Sequence, residues 1–180
     1  MKLLLNFLFL IFLSSMLSGC AVQNLESYST EKPNFDLKNY FQGNTTGWGI
    51  VQDRSGQVIK RFVVKIVGKF EGKKGILDEQ FNWSDGKKDQ RIWKLEKTDS
   101  NKWIGFADDV IGSASGEIVG NTLRWKYTLK LDLDDGSVNV NFDDWMYLVD
   151  DKVLMNNAKF FKFGILLGEV TLTFLKSDES

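Results

Sequence analysis

The sequence predicts an all-β protein, an antiparallel up-and-down barrel of about nine or ten strands preceded by a short N-terminal helix. Three observations support this fold class. Apolar and polar side chains alternate with a period of two along several segments, most clearly from Leu123 to Leu133. Turn-forming residues separate these segments at intervals of roughly eight to eighteen residues. No connection is long enough for a crossover helix, so consecutive strands must run antiparallel.

The first element along the chain is a targeting segment rather than part of the fold. Lys2 precedes an apolar run from Leu3 to Leu13, and small residues follow this run. That order is typical of a secretory signal peptide, because the apolar run is too short to span a bilayer comfortably. We therefore expect residues 1–19 to be removed from the mature protein.

The chain contains one cysteine, Cys20, which is the predicted lipidation site. The segment from Leu17 to Cys20 resembles the bacterial lipobox, in which small residues precede a cysteine that is acylated and becomes the mature N-terminus. Acyl chains would hold the protein on a membrane, since each buried methylene contributes about 0.8 kcal/mol. The next residue is Ala21 rather than the aspartate that marks inner-membrane retention in such lipoproteins. We therefore expect lipid anchoring at the outer membrane, on the periplasmic face, of a bacterium with two membranes.

The remaining chain is expected to form a flexible tether over residues 20–33 and one domain over residues 34–176. Asn34–Phe41 has a polar cap and precedes Gly43, a pattern that predicts one or two helical turns. Each following strand has one apolar face, which must pack on a second sheet or close on itself. Long strands in up-and-down order favour a closed barrel of the lipocalin kind, with a β-sandwich as the alternative. A membrane-spanning barrel would also alternate, but it would gain little from acyl chains.

The composition excludes several classes of function. The 180-residue chain contains no histidine, so a Ser-His-Asp or Cys-His relay and a His-ligated zinc are excluded. The 23 basic and 24 acidic side chains give a net charge of −1, whereas a nucleic-acid-binding surface normally has a basic excess. We expect no nucleic-acid partner, no metal, no cofactor and no catalytic residues, and we predict that the protein is not an enzyme.

Charged residues on an inward, apolar face are the candidate ligand-binding residues. Glu79 lies in line with the apolar members of its strand, and Arg91 lies in line with those of the next strand. A turn between the strands would pair Glu79 with Trp93 and make Glu79 and Arg91 diagonal neighbours. The two charges form either a structural ion pair or a site where Arg91 receives an anionic head group, such as a fatty-acid carboxylate. Three aromatic residues are expected to face inward and line any cavity: Trp93, Trp125 and Tyr127.

The second candidate site is an acidic cluster of Asp143, Asp144 and Trp145, where the alternation breaks down. A simple strand would place only one aspartate inside, whereas a bulge could bring both to the barrel rim. The cluster is then either a solvated corner or a pair of carboxylates for acid–base chemistry or calcium, although no spacing matches a known calcium loop. Two other aspartate pairs are interpreted as turn residues: Asp108–Asp109 and Asp134–Asp135.

Several short motifs in a fixed order resemble one protein family. Besides the lipobox, they are Phe41-Gln42-Gly43, Gly47-Trp48-Gly49, Leu77 to Phe81 with Glu79, Arg91 with Trp93, Phe142 to Met146, and Lys162-Phe163-Gly164. Over about residues 35–176 the chain resembles the bacterial lipoproteins of domain-of-unknown-function family 3833 (DUF3833). The resemblance implies a lipocalin-like, or calycin-like, barrel. It also implies genes near enzymes of fatty-acid or phospholipid modification, so envelope lipid-metabolism enzymes are candidate partners. It supplies no catalytic residues.

These features predict a lipid-anchored periplasmic protein whose barrel binds or shields a small hydrophobic or amphiphilic ligand. Two alternatives stay open. In the first, a filled barrel acts as a non-catalytic structural or accessory subunit for envelope lipid metabolism, and dense packing of the interior would favour it. In the second, a hydrolase uses Glu79 with Asp143 or Asp144, which requires two carboxylates within about 5 to 9.5 Å of each other beside a cleft.

Overall fold

A computed structural model describes residues 23–133 and 136–177. The predicted signal peptide, Cys20 and the pair Asp134–Asp135 lie outside the described residues. Lipidation at Cys20 and localisation at the outer membrane therefore stay predictions. None of the helices in the described ranges has both the length and the apolar character needed to cross a membrane.

Two short helical segments precede the strands. A 3-10 helix spans Leu25–Tyr28, and helix α1 spans Leu37–Phe41. Helix α1 begins after Asp36, whose carboxylate accepts a hydrogen bond from the backbone N–H of Asn39 at 2.8 Å and so caps the first turn. The helix lies within the segment where the polar cap and the following glycine predict one.

Ten strands make up the rest of the described chain. They are β1 (Gly43–Asp53), β2 (Val58–Glu71), β3 (Lys74–Trp83), β4 (Lys88–Lys97), β5 (Lys102–Phe106), β6 (Ala114–Val119), β7 (Thr122–Leu133), β8 (Gly136–Leu148), β9 (Val153–Lys162) and β10 (Ile165–Lys176). Each strand pairs with the next in antiparallel fashion, and β1 pairs with β10, so the sheet closes into a barrel. The predicted antiparallel up-and-down barrel of about nine or ten strands is confirmed, rather than the sandwich.

Helix α1 seals one end of the barrel, which we call the closed end. The helix buries Leu37, Tyr40 and Phe41 against the strands, and the Tyr40 hydroxyl donates a hydrogen bond to the backbone carbonyl of Lys152 at 2.9 Å. Gly68 on β2 permits this contact, because a Cβ atom there would lie 1.7 Å from the Phe41 carbonyl oxygen. The opposite end, which we call the open end, carries the turns that follow the odd-numbered strands.

The barrel wall is lower on one side of the open end, where β5 and β6 are short. Strand β4 pairs with β5 only over Lys94–Lys97, which leaves the first half of β4 beyond this pairing. The loop of residues 107–113 fills the space and joins the β7 side. The backbone N–H of Ile111 donates to the Thr128 carbonyl, and that of Lys130 donates to the Asp109 carbonyl, both at 2.8 Å. This loop thus completes the wall beside β4.

The segment before the helix differs from the predicted flexible tether. Within residues 23–33 the Tyr28 ring packs on the outer face of β8, 5.6 Å from the Tyr147 ring and 6.3 Å from the Trp145 ring. The Gln23 amide also donates a hydrogen bond to the Tyr147 hydroxyl. The physical reason is an aromatic patch on the outer wall, which offers the apolar contact that a free tether would lack.

Candidate ligand-binding site

Inward-facing apolar side chains are packed differently at the two ends of the barrel. Near the closed end Leu123 and Leu154 are almost fully buried, with 1% and 0% of their surfaces exposed, although Phe70, Ile118 and Met146 stay half-buried. Near the open end Phe62, Leu129 and Val140 are buried, but a larger set of inward apolar residues stays half-buried. These half-buried residues are Val51, Phe81, Trp83, Tyr127, Leu131, Phe142 and Val170. The open end therefore exposes apolar side chains that point into the barrel.

Most of these half-buried residues belong to two groups of aromatic rings. We call Tyr127, Phe142 and Phe160 the β7–β9 aromatic row, whose neighbouring rings stack with centroids 5.0 and 5.3 Å apart. Phe62, Phe81 and Trp83 form the β2–β3 aromatic row, with centroids 4.9 to 5.9 Å apart. Four strands separate β3 from β8 in either direction around the barrel, so the two rows face each other.

A floor of two tryptophan rings lies between the aromatic rows and the closed end. Trp93 and Trp125 are buried and meet edge to face with centroids 5.7 Å apart, and Trp93 makes a similar contact with Tyr127. Gly116 leaves room for this packing, since a Cβ atom there would lie 2.2 Å from the Trp125 ring. All three predicted lining residues face inward. Trp93 and Trp125 fill the interior, however, and only Tyr127 stays half-buried.

Glu79 and Arg91 meet inside the barrel, but in a different register from the predicted one. They are directly opposite each other on β3 and β4 rather than diagonal, with Arg91 Nη1 4.0 Å from Glu79 Oε2. Glu79 pairs with Arg91 rather than with the predicted Trp93, because the turn is centred on Asp85 rather than on Gly86. The guanidinium also lies 5.8 Å from the Phe81 ring and thus borders the β2–β3 row.

The nearest partner of Arg91 is Asp109, which the sequence interpretation treats only as a turn residue. Arg91 Nε donates to both carboxylate oxygens of Asp109, at 3.2 and 2.9 Å, and Nη2 lies 2.8 Å from Oδ2. This bidentate ion pair joins β4 to the 107–113 loop across the low side of the wall. The sequence feature that indicates this loop is the break in apolar–polar alternation at residues 107–113. In a closed barrel, such a break marks a part of the wall that is formed by loop residues.

The predicted rim cluster is corrected by the structure. The β7–β8 register continues without a bulge, with Lys126 opposite Asp143 and Trp125 opposite Asp144. Adjacent residues therefore point to opposite faces, and the cluster lies within β8 rather than at the rim. Asp143 faces outward, where its carboxylate accepts hydrogen bonds from Arg124 at 2.7 and 2.6 Å. Asp144 alone faces inward.

Trp145, the third member of the predicted cluster, lies on the outer wall. It is nevertheless buried, because the Arg124 guanidinium lies 4.7 Å from its ring centroid and Tyr28 packs on it. This cation–π contact and the N-terminal segment cover the indole ring without using the barrel interior. Trp145 therefore supports the attachment of the N-terminal segment to the wall.

Asp144 is the most deeply buried carboxylate of the interior. Only 7% of the residue is exposed, and the Tyr127 hydroxyl donates to Oδ2 over a long 3.4 Å. Its other oxygen, Oδ1, has no hydrogen-bond partner among the described residues. Burial raises the pKa of Asp144 to about 8, although the nearby positive charge of Arg91 opposes this shift.

The Glu79 carboxyl is perturbed in the same direction. Burial raises its pKa to about 7, while Arg91 lowers it and Asp109 raises it further. The five inward polar groups are close enough to influence one another's charge, and we call them the polar cluster: Glu79, Arg91, Asp109, Tyr127 and Asp144. With all carboxylates ionised, three negative groups and one positive group would give this cluster a formal charge of −2.

Comparison with known proteins agrees with the fold. The model of one family, described as a protein of unknown function (DUF3833), matches residues 14–176. Among solved structures, the chain is similar to an S-type phycobiliprotein lyase, CPES, from Guillardia theta. The TM-score is 0.59 at 8% identity, over 88% of this chain and 100% of the lyase chain. At such low identity the likeness shows the fold alone, and it confirms the predicted lipocalin-like barrel.

The chain is also similar to a de novo designed fluorescence-activating β-barrel, with a TM-score of 0.43 and 10% identity. That alignment covers 79% of this chain and 99% of the designed chain. No curated protein matches the sequence.

Proposed function

The chain belongs to the DUF3833 family, and because the family's description assigns no activity, we propose a function from the barrel itself: its open end binds a small hydrophobic or amphiphilic ligand. The proposal depends on one observation. Two aromatic rows lie on opposite sides of the open end, and four of their rings, those of Phe81, Trp83, Tyr127 and Phe142, are half-buried above a floor of tryptophan rings. Ligand sites are commonly concave, lined by aromatic side chains and supplied with a few polar groups.

A ligand in this position would cover apolar surface that the fold leaves exposed. Removing apolar surface from water contributes roughly 25 cal/mol per Å². The rings of Phe81, Tyr127 and Phe142 would form the walls around an apolar tail, and the polar cluster would contact a head group. This arrangement supports an amphiphile, such as a lipid or a fatty-acid-like molecule, more than a purely apolar ligand.

The lipid anchor predicted at Cys20 belongs to the same proposal. The described chain begins at residue 23, and the backbone N–H of Phe35 donates to the Gly120 carbonyl at the turn before β7, on the closed end. An acylated Cys20 a few residues earlier would hold the closed end toward the outer membrane. The open end would then face the periplasm, where a ligand or an enzyme of envelope lipid metabolism could reach it.

The two alternatives are affected differently by the geometry. The tryptophan floor fills part of the interior, as an accessory subunit with a filled barrel would require, but the half-buried aromatic rows favour ligand binding. For the hydrolase, Asp143 is no longer a candidate because it faces outward and pairs with Arg124. Glu79 and Asp144 both face inward, and we propose that they serve binding rather than catalysis.

Titration of the full-length protein with N-phenyl-1-naphthylamine, a neutral apolar fluorescent probe, tests the proposal. We expect saturable binding that Phe142→Ala weakens about tenfold, because it removes a wall of the site. Trp48→Ala is the matched control, since Trp48 is an aromatic residue on β1 that is 50% exposed on the outer wall. Val170→Trp is a second variant, which adds bulk to the open end and should reduce binding without creating a cavity.

Native mass spectrometry of the gently extracted protein provides an independent measurement, and we expect a co-purified lipid. Two results would overturn the proposal: no saturable probe binding together with no bound lipid, or equal effects of Phe142→Ala and Trp48→Ala.

A further inference from the structure

The charges inside the barrel indicate which head group the open end accepts. The polar cluster contains three carboxylates, those of Glu79, Asp109 and Asp144, but only one guanidinium. Arg91 is already held by Asp109 through two donors and approaches Glu79 through a third nitrogen. An anionic head group would have to displace Asp109 from Arg91 or, once rising pH has ionised Glu79 and Asp144, enter a region with surplus negative charge. A cationic head group would reduce that surplus.

The buried Asp144 carboxylate adds an independent indication. Its Oδ1 atom accepts no hydrogen bond from the described residues, whereas Oδ2 has the Tyr127 hydroxyl within 3.4 Å. Polar atoms that are this deeply buried are normally satisfied. When Asp144 is ionised, Oδ1 is an acceptor only, so the group that completes the site in that state must be a donor.

The aromatic rings around the polar cluster also suit a cation. Tyr127 stacks on Phe142 and makes a T-shaped contact with Trp93, so several aromatic rings surround the inner end of the site. A cation within about 6 Å of such a ring is attracted by its π-system. The Arg91 guanidinium, 5.8 Å from the Phe81 ring and 6.0 Å from the Trp93 ring, already makes contacts of this kind.

We propose that the ligand is a cationic amphiphile, an inference that rests on the proposed function. The primary ammonium group of the ligand donates hydrogen bonds to Asp144 Oδ1 and Glu79, and its apolar tail lies between the two aromatic rows. The earlier hypothesis, in which Arg91 binds an anionic head group, assigns a negative charge to the ligand instead of a positive one. Asp109 makes the difference, since it occupies the guanidinium that a carboxylate ligand would need.

Binding of a cation would also depend on pH in a characteristic direction. Asp144, with a pKa of about 8, and Glu79, with a pKa of about 7, hold protons near neutrality. Rising pH ionises both, so affinity for an ammonium ligand should increase from about pH 6 to pH 8, and affinity for a carboxylate ligand should decrease. The inward charged and titratable groups that act on these two carboxyls are Arg91, Asp109 and Tyr127, and the outward Asp78 and Asp143 add smaller coulombic influences through the wall.

Competition against bound N-phenyl-1-naphthylamine in the full-length protein tests the head group with the tail held constant. The competitors are decylamine, decyltrimethylammonium, decanol and decanoate, each below its micelle concentration. We expect decylamine to bind about tenfold more tightly than decanoate at pH 8. Decyltrimethylammonium should be weaker than decylamine, because it has the charge but no N–H donor.

Neighbouring residues on β8 supply matched variants. Asp144→Asn should weaken decylamine about tenfold and leave decanol nearly unchanged, since it removes the inward charge. Asp143→Asn changes the next residue, which faces outward, and should leave both affinities unchanged. Glu79→Gln is the second inward variant, should Asp144→Asn not fold, and it should weaken decylamine in the same direction.

The outcomes separate this inference from the proposed function. If decanoate or decanol equals or exceeds decylamine, the ammonium assignment is overturned while ligand binding stands. Equal effects of the Asp143 and Asp144 variants would likewise overturn it, and so would equal affinities of decylamine and decyltrimethylammonium. If none of the competitors displaces the probe, the amphiphile proposal itself is overturned.

Discussion

The closed and open ends of this barrel are built from the same strands but treat their inward side chains differently. At the closed end, helix α1 covers the strands, and residues such as Leu123 and Leu154 are almost fully buried. At the open end, aromatic rings stay half-buried, and a carboxylate without a full set of partners lies beneath them. Complete burial of apolar surface stabilises a fold, whereas buried charge destabilises it. The comparison indicates that one end provides most of the stability, while the other leaves apolar surface exposed that the proposed ligand would cover.

The largest expected effect comes from truncating the same residue type at each end. Leu154→Ala at the closed end should lower the free energy of unfolding by about 2 to 5 kcal/mol, because it leaves a cavity in a fully buried site. Leu131→Ala at the open end should cost only about 1 kcal/mol, since its side chain is half-buried. Urea unfolding followed by tryptophan fluorescence measures both values. Equal costs would contradict the proposed division between the two ends.

The next effect is the dependence of stability on pH. Well below pH 3.8 the Asp144 carboxyl is protonated in both the folded and the unfolded chain. Burial holds the folded-state pKa at about 8, so the folded protein keeps a proton that the unfolded chain loses at its ordinary pKa of 3.8. Stability should therefore decrease as pH rises from about 4 to about 8, by up to about 1.4 kcal/mol per pH unit for this group.

Asp144→Asn should flatten this slope and raise stability at pH 8 relative to the unmodified chain. Glu79 adds a slope of the same sign, so part of the dependence should persist in the variant. Asp143→Asn is the control on the outer face and should change the slope much less, because burial is the main cause of the raised pKa of Asp144 and the charge of Asp143 is a smaller one. Unfolding midpoints measured across the pH range test the prediction, and a slope that Asp144→Asn does not alter would contradict it.

The sequence predicts the fold well because a barrel depends on a local pattern. The period-two alternation of β7, from Leu123 to Leu133, is sufficient to assign an antiparallel strand with one buried face. The length and up-and-down order of such strands favour closure of the sheet, but they leave a β-sandwich possible, and the pairing of β1 with β10 decides between the two. Packing of the N-terminal segment could not be predicted in the same way, because the contact of Tyr28 with Tyr147 joins residues distant in the chain. Alternation carries no information about what covers an outer wall.

The sequence predicts which side chains of the candidate site face inward, but it does not predict which of them pair with each other. Alternation places Glu79, Arg91 and Tyr127 inside the barrel, and the structure agrees. The register of β3 and β4 depends on the residue at which their turn is centred, so the direct pairing of Glu79 with Arg91 was missed. Asp109 was missed because a loop residue has no periodicity that fixes its direction. Its partner is decided by how the 107–113 loop packs against β7.

A smaller effect is expected where the loop joins the low side of the wall. Asp109→Asn should weaken the ion pair with Arg91 and increase amide hydrogen exchange across residues 107–113 several-fold. The global stability should fall by about 1 kcal/mol or less, because the carboxylate is partly exposed. Asp108→Asn changes the exposed neighbour and is the matched control. Exchange rates that stay unchanged in Asp109→Asn would show that the β7 hydrogen bonds alone hold the loop.

The smallest effect is expected at the outermost point of the open end. Phe163, in the turn between β9 and β10, is 90% exposed and has a φ angle of +51°, a left-handed conformation that disfavours residues other than glycine. Phe163→Gly should therefore raise the free energy of unfolding by about 0.5 kcal/mol, because relief of backbone strain exceeds the added entropy of the unfolded chain.

Phe163→Ala separates backbone strain from side-chain contact at this position. The alanine variant keeps a Cβ atom and therefore the strain, so its stability should lie within about 0.5 kcal/mol of the unmodified chain. Thermal unfolding of both variants provides the measurement. If both variants are destabilised by the same amount, the Phe163 ring contributes packing energy. The open end would then be more closed than its exposed side chains indicate, and the contrast between the two ends would be weaker.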